Sequence, residues 1–218
     1  LSLDAYCERV GPGLWAEPLN AVTNLAFLAA ALVMWPRTQG LPLGRALCLI
    51  LAAIGVGSGL WHVFGQVWAM ILDSGAIAVF ALVFLFAANR DFLGLGTWAA
   101  LALTALYFPY GALTGAVFGR LPFFATSAEY WGLPLLILGY GIGLRRRAPD
   151  TARGLLLAAA LLTVSLVFRS LDGPLCGVWP MGTHFLWHSL NAVLLGWMIE
   201  VYRRHRLARG SAPGFVRA

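Results

Sequence analysis

Apolar runs of about 20 residues, the length an α-helix needs to cross a bilayer, recur along nearly the whole chain of 218 residues. Only 11% of the residues are charged, and the mean hydropathy of +0.79 excludes an ordinary soluble domain. The runs predict an all-α, polytopic membrane protein with seven transmembrane helices. Their predicted positions are residues 18–35, 43–64, 67–88, 97–116, 127–144, 155–168 and 183–202.

The positive charge of the chain is carried by arginine alone. The net charge is +6, and the 15 basic residues include no lysine. They lie between the apolar runs and at the C-terminus, where arginine sets topology and contacts lipid headgroups, so we expect no nucleic-acid partner. Most of them fall in alternate loops on one side, which predicts an outer N-terminus and a cytoplasmic C-terminus. We expect one membrane domain, residues 1–203, and a basic cytoplasmic tail, residues 204–218.

Polar side chains interrupt the apolar pattern within one helical hairpin, residues 57–75. Its two helices are joined by a short turn and must be antiparallel neighbours. Ser58 and His62 share a helix face at i, i+4 spacing, and Ser58 and Asp73 lie at matching depth, about 11 Å from the turn. Ionisable groups inside membrane helices are costly and usually mark a functional site. Hydrogen bonding that only joins the helices is the alternative.

The last predicted helix adds His184 and His188, also at i, i+4 spacing. Two imidazoles on one helix face can bind a single metal ion. With His62 they form a three-histidine set, which in catalytic zinc sites leaves the fourth position to a water of pKa about 7. Asp73 would orient that water and accept its proton, and Ser58 would hydrogen-bond the carbonyl or the developing oxyanion.

These residues resemble the motifs of the alkaline ceramidases, within a superfamily of seven-helix zinc hydrolases that also includes the adiponectin receptors. The matching motifs are S-x3-H-x10-D from Ser58 to Asp73, H-x3-H at His184 and His188, YCE…AEPLNAVTN from Tyr6 to Asn24, and D-x3-C from Asp172 to Cys176. The resemblance implies zinc held by the three histidines, with Asp73 and Ser58 assisting. It also implies hydrolysis of the ceramide amide to a sphingoid base and a fatty acid.

The resemblance further implies a calcium site in the N-terminal segment, as in some family members. Glu8 and Glu17 match acidic positions of that site, and Asp4 could supply a further oxygen. Ala5 and Val10 stand where other ligands are expected. Because ligand number decides a calcium site, a rim of solvated carboxylates is the alternative interpretation.

Two of the three cysteines fall on the predicted outer side of the membrane. An oxidising compartment would permit a disulfide between Cys7 and Cys176, and the resemblance favours that pair. Cys48 lies within a predicted helix, where we expect a small, buried apolar side chain.

We therefore expect a zinc amidohydrolase whose ceramide-like substrate enters from the lipid. One alternative is a zinc-dependent lipid esterase of the phospholipase type, since zinc-bound hydroxide attacks esters and amides alike. Another is a receptor or binding protein with structural zinc, which would normally have four protein ligands. The alanine-rich, lysine-free composition suggests a bacterial inner (plasma) membrane protein, with the site toward the outer side.

Overall fold

The structure is a computed structural model that describes residues 6–11 and 13–210. Those residues form helices and turns, and no strand occurs among them. The helices are α1 (Pro18–Thr23), α2 (Leu25–Arg37), α3 (Pro42–Phe64), α4 (Val67–Ala87), α5 (Thr97–Ala105), α6 (Tyr107–Phe118), α7 (Pro122–Ala125), α8 (Gly132–Leu144), α9 (Pro149–Leu175) and α10 (His184–Gly210). A π-helical turn, Ala88–Phe92, extends α4.

Within the described residues, 5 helical segments are long and apolar enough to cross a membrane. They are Pro18–Arg37, Pro42–Phe64, Val67–Phe92, Thr97–Phe118 and Pro149–Leu175. The chain is therefore an all-helical, multi-pass membrane protein. The shorter α8 is apolar, and α10 ends in an arginine-rich segment. The expected total of seven spans and the direction of the termini stay predictions.

Several helices differ from their predicted bounds. The first predicted helix divides at Asn24 into α1 and α2, and it continues past its predicted end at residue 35 to Arg37, with Pro36 inside α2. The fourth divides at Leu106. Pro109 has no backbone N–H, so the carbonyl four residues before it, next to Leu106, lacks its helical hydrogen bond. The fifth begins only at Gly132, because turns occupy the residues before it.

The last helix continues past its predicted end, through residues 204–210 that we assigned to the tail. Contacts with Asp91 on the π-helical turn explain this extension. The Tyr202 hydroxyl donates to the Asp91 carboxylate at 2.8 Å, Arg206 pairs with it at 3.0 Å, and His205 Nε2 lies 3.0 Å from the Asp91 carbonyl. Residues 211–218 lie outside the described part of the chain.

The helices that carry the predicted site residues pack directly together. α3 packs on α4 and α2, and α10 packs on α9 and α2. The backbones of α3 and α4 come close at Gly57, where a Cβ would lie 3.1 Å from the Leu72 carbonyl and 3.2 Å from the Asp73 nitrogen. A side chain here would push the two backbones apart by a few tenths of an ångström, so glycine favours this close approach, which sets Ser58 beside Asp73.

Candidate metal centre

Three histidines from two helices form one buried cluster. His62 comes from α3, and His184 and His188 come from the first turns of α10. Each is at most 2% exposed. One ring nitrogen from each lies within 4.8 Å of the others, and the Nε2 atoms of His62 and His188 are 3.1 Å apart. Among the described residues, this is the one group of His, Cys, Asp and Glu side chains arranged to hold a metal ion.

Hydrogen bonds orient the rings of two of these histidines. His62 Nδ1 lies 2.5 Å from Glu17 Oε2, a carboxylate oxygen that can only accept, so this nitrogen carries a proton. His188 Nδ1 lies 3.0 Å from the Thr23 hydroxyl, whose single proton can serve the carbonyl of Leu19 or that of Asn20. The His188 tautomer with its proton on Nδ1 lets the ring donate to Thr23 while Thr23 donates to one of these carbonyls.

The Nε2 atoms of His62 and His188 face each other across 3.1 Å. At this distance the two nitrogens are satisfied either by a proton that one ring donates to the other or by a metal ion bound to both. A tetrahedral zinc ion with Zn–N bonds of about 2.0–2.1 Å holds its ligand nitrogens about 3.3 Å apart. His184 Nδ1 is also buried without a hydrogen-bond partner, which leaves it free to act as a ligand. These features fit a metal ion, and the three-imidazole donor set is compatible with zinc.

Asp73 and Ser58 lie beside the cluster, as the hairpin pattern predicts. Ser58 is 3% exposed, and its hydroxyl interacts with the Asp73 carboxyl. The other carboxylate oxygen, Asp73 Oδ1, is buried without a hydrogen-bond partner. Ser58, Asp73 and His188 line the same cavity. The structure thus brings the predicted catalytic pair and the histidines together.

The acidic residues considered for calcium have other partners. Glu8 accepts hydrogen bonds from the backbone amides of Leu19 at 2.6 Å and Asn20 at 2.8 Å, at the start of α1. Glu17 is 1% exposed and binds Arg9 and His62. Asp4 lies outside the described residues. The Glu17 carboxylate is buried and committed to protein donors, so it fits neither a calcium site nor a solvated rim. Both oxygens of Glu8 accept backbone amides at the start of α1.

Glu17 is a strong acceptor despite its burial. Burial alone would raise the pKa of its carboxyl, but hydrogen bonds from His62, Arg9 and Asn20 outweigh that effect and hold the pKa below its usual range. The group is therefore an anion that fixes the Nδ1 proton of His62. Such carboxylate–histidine pairs orient metal ligands in many proteins.

The segment before α1 is attached to the site by Cys7 and Asp172. Cys7 and Cys176 form a disulfide, with Cα atoms 5.3 Å apart, which confirms the expected pairing. Asp172 accepts the amide of Cys7 at 3.0 Å and the amides of Thr183 and His184 at 2.7 and 2.9 Å. It therefore caps the start of α10 and holds the N-terminal segment over the cluster.

Sequence reasoning missed one aromatic contact at the cluster. Tyr6 stacks on His184 with ring centroids 3.6 Å apart. Spacing gave no signal for Tyr6, because it reaches the histidine across the fold.

No known protein-family model matches this chain, and no curated protein sequence matches it. Fold and site together define its class: an all-helical, multi-pass membrane protein with a buried three-histidine site suited to a metal ion.

Proposed function

We propose that this protein is a zinc-dependent intramembrane hydrolase that cleaves the amide bond of ceramide-like lipids, releasing a sphingoid base and a fatty acid. The observation that carries the proposal is the cavity beside the histidines. His188, Ser58 and Asp73 form one end of it, and the remaining walls are predominantly apolar. A polar reaction centre that opens into an apolar cavity suits a substrate with a polar bond and a long hydrocarbon chain.

The cavity extends a long way along the helices. On α10 it is lined from Trp187 to Met198, and on α4 and the π-helical turn that extends it from Asp73 to Ala88. At the helical rise of 1.5 Å per residue, these intervals correspond to about 16 and 22 Å. Such a length accommodates a long acyl chain whose carbonyl lies beside the histidines.

The residues of the centre would share the reaction as follows. His62, His184 and His188 would hold the ion, which supplies a water of lowered pKa and polarises the carbonyl. Asp73 would take a proton from the attacking water and deliver it to the leaving amide nitrogen. Ser58 would donate a hydrogen bond to the carbonyl oxygen as negative charge develops there. The water oxygen would bond to the carbonyl carbon as the C–N bond breaks, and the amine would depart with the proton that Asp73 delivers.

The proposed topology adds α8 and α10 to the five long apolar segments, giving seven membrane helices. The arginines after α8, from Arg145 to Arg147, and the arginine-rich end of α10 would face the cytoplasm. The three-histidine cluster would then lie toward the outer side of a bacterial inner membrane. The Cys7–Cys176 disulfide agrees with this placement, because disulfides persist in oxidising compartments.

The resemblance to the alkaline ceramidases supports the amide over the ester as the bond cleaved. An esterase would use the same centre, so the test is a lipid panel presented to the purified protein in detergent or vesicles. We expect sphingoid base from ceramide, and no release by His188→Ala. Lysophospholipid from phospholipids, with ceramide untouched, would establish the esterase instead. Absence of hydrolysis from a zinc-loaded protein on every lipid would refute the enzyme.

The receptor alternative requires structural zinc, normally with four protein ligands. Among the described residues, the group able to hold a metal contains three histidines and not Asp73. These residues would supply three ligands, one fewer than structural zinc normally has, and this supports the catalytic alternative.

A further inference from the structure

A buried arginine lies directly behind the histidine cluster. The side chain of Arg9 is 1% exposed, and its Nε atom lies 2.5 Å from Glu17 Oε1. Its Nη2 atom donates to the carbonyl of His62 at 3.1 Å. Arg9 thus contacts both the backbone of a proposed metal ligand and the carboxylate that binds the ring of that ligand.

The local fold is arranged to admit this guanidinium. α3 ends at Phe64 and is followed by Gly65, which adopts a left-handed conformation with φ of 61°. A Cβ at that position would lie 2.9 Å from the Arg9 guanidinium. The last carbonyls of a helix lack intrahelical partners and carry partial negative charge. Glycine therefore opens a space at the C-terminus of α3 in which a cation is favoured.

The groups around this position, a carboxylate and a backbone carbonyl, are those that bind cations. A divalent cation in such a place would take carboxylate and carbonyl oxygens. Arg9 supplies the positive charge itself, between the Glu17 carboxylate and the His62 carbonyl. The planar guanidinium holds two acceptors in fixed directions and remains charged.

We propose that the Arg9 guanidinium takes the place of a bound cation. It positions His62 through Glu17, so that the histidine cluster assembles and holds its metal without calcium. The inference rests on the metal centre of the proposed function but not on the lipid that is hydrolysed. Arg9 is a positioning residue, because its contacts are with Glu17 and with the backbone of His62. The disulfide between Cys7 and Cys176 tethers the same segment two residues before Arg9.

The experiment measures the zinc affinity of full-length variants by competition with a chromophoric chelator. Arg9→Met should weaken zinc binding by about tenfold or more, the effect typical of losing an outer-shell partner. Arg9→Lys should recover part of that loss, since it keeps the charge without the fixed two-point geometry. Arg153→Met is the matched control, because Arg153 is 77% exposed and pairs only with the exposed Asp150 among the described residues.

A second control separates positioning from general destabilisation. Tyr202→Phe removes the hydrogen bond to Asp91 at the opposite end of α10, so it should lower thermal stability and leave zinc affinity unchanged. If Arg9→Met binds zinc as tightly as the wild type, or if Tyr202→Phe weakens zinc equally, the positioning role is refuted.

The calcium arm uses the wild-type protein and does not depend on variant folding. Titration of calcium into zinc-loaded protein should give no binding heat, no change in melting temperature and no change in zinc affinity. Calcium binding that raises the melting temperature or the zinc affinity would overturn the inference. A wild type that binds no zinc would instead refute the proposed function, so the two failures are distinguishable.

Discussion

Replacing Glu17 by glutamine tests how the cluster is supported. The carboxylate accepts hydrogen bonds from Arg9 and His62 at 2.5 Å each and from Asn20 at 3.1 Å. A glutamine keeps one oxygen, but its NH2 group must then face another donor. Arg9 also remains buried without its counter-ion.

The substitution should lower both the stability of the fold and its affinity for the metal. Removing one partner of a buried ion pair typically lowers the free energy of unfolding by about 3–5 kcal/mol. Loss of the carboxylate behind a histidine ligand weakens metal affinity by about 10–100-fold. By linkage, the stabilisation that saturating zinc gives should fall by about 1.4–2.7 kcal/mol, the free-energy equivalent of that affinity loss.

The assay is chemical unfolding in detergent with and without zinc, comparing Glu17→Gln with Asp150→Asn. The control carboxylate is 86% exposed and pairs with Arg153, so its loss should change stability little. If Glu17→Gln unfolds like the control and gains as much from zinc as the wild type, the support assigned to Glu17 is wrong.

Three further predictions concern the hairpin, the reaction and the outer segment. Gly57→Val should destabilise the protein by about 1–3 kcal/mol because it forces α3 from α4, whereas Gly75→Val, where a Cβ meets nothing within 4 Å, should be tolerated; equal melting temperatures would contradict this. Asp73→Asn should lower the hydrolysis rate by about 10²–10⁴-fold with zinc content unchanged, and full activity would remove Asp73 from the mechanism. Reducing the disulfide between Cys7 and Cys176, which spans a sequence separation of 169, should lower stability by about 2–5 kcal/mol; an unchanged unfolding curve would oppose it.

The sequence was sufficient to predict the helical class and the histidine cluster. Hydropathy marks apolar helices because the bilayer demands a minimum apolar length. The i, i+4 pair at His184 and His188 shares a face by helix geometry alone, and the short turn of the hairpin fixes Ser58 and Asp73 at one depth. These inferences need only local periodicity, and for that reason they agree with the observed geometry.

The surroundings of the cluster could not be predicted in the same way. Arg9, Glu17 and Thr23 reach His62 and His188 from a segment far away in sequence, so no spacing reveals these contacts. Glu17 was assigned to calcium by resemblance, although its carboxylate in the structure binds the His62 ring. The end of α10 was placed too early for a similar reason, because its last turns depend on tertiary contacts with Asp91.

The metal content of the purified protein tests the central claim most directly. We predict one zinc ion per chain in the wild type and in His205→Ala, because His205 lies away from the cluster and contacts Thr151 and Asp91. His188→Ala should lose the ion while remaining folded. A wild type without stoichiometric metal, or a His188→Ala variant that retains it, would contradict the account.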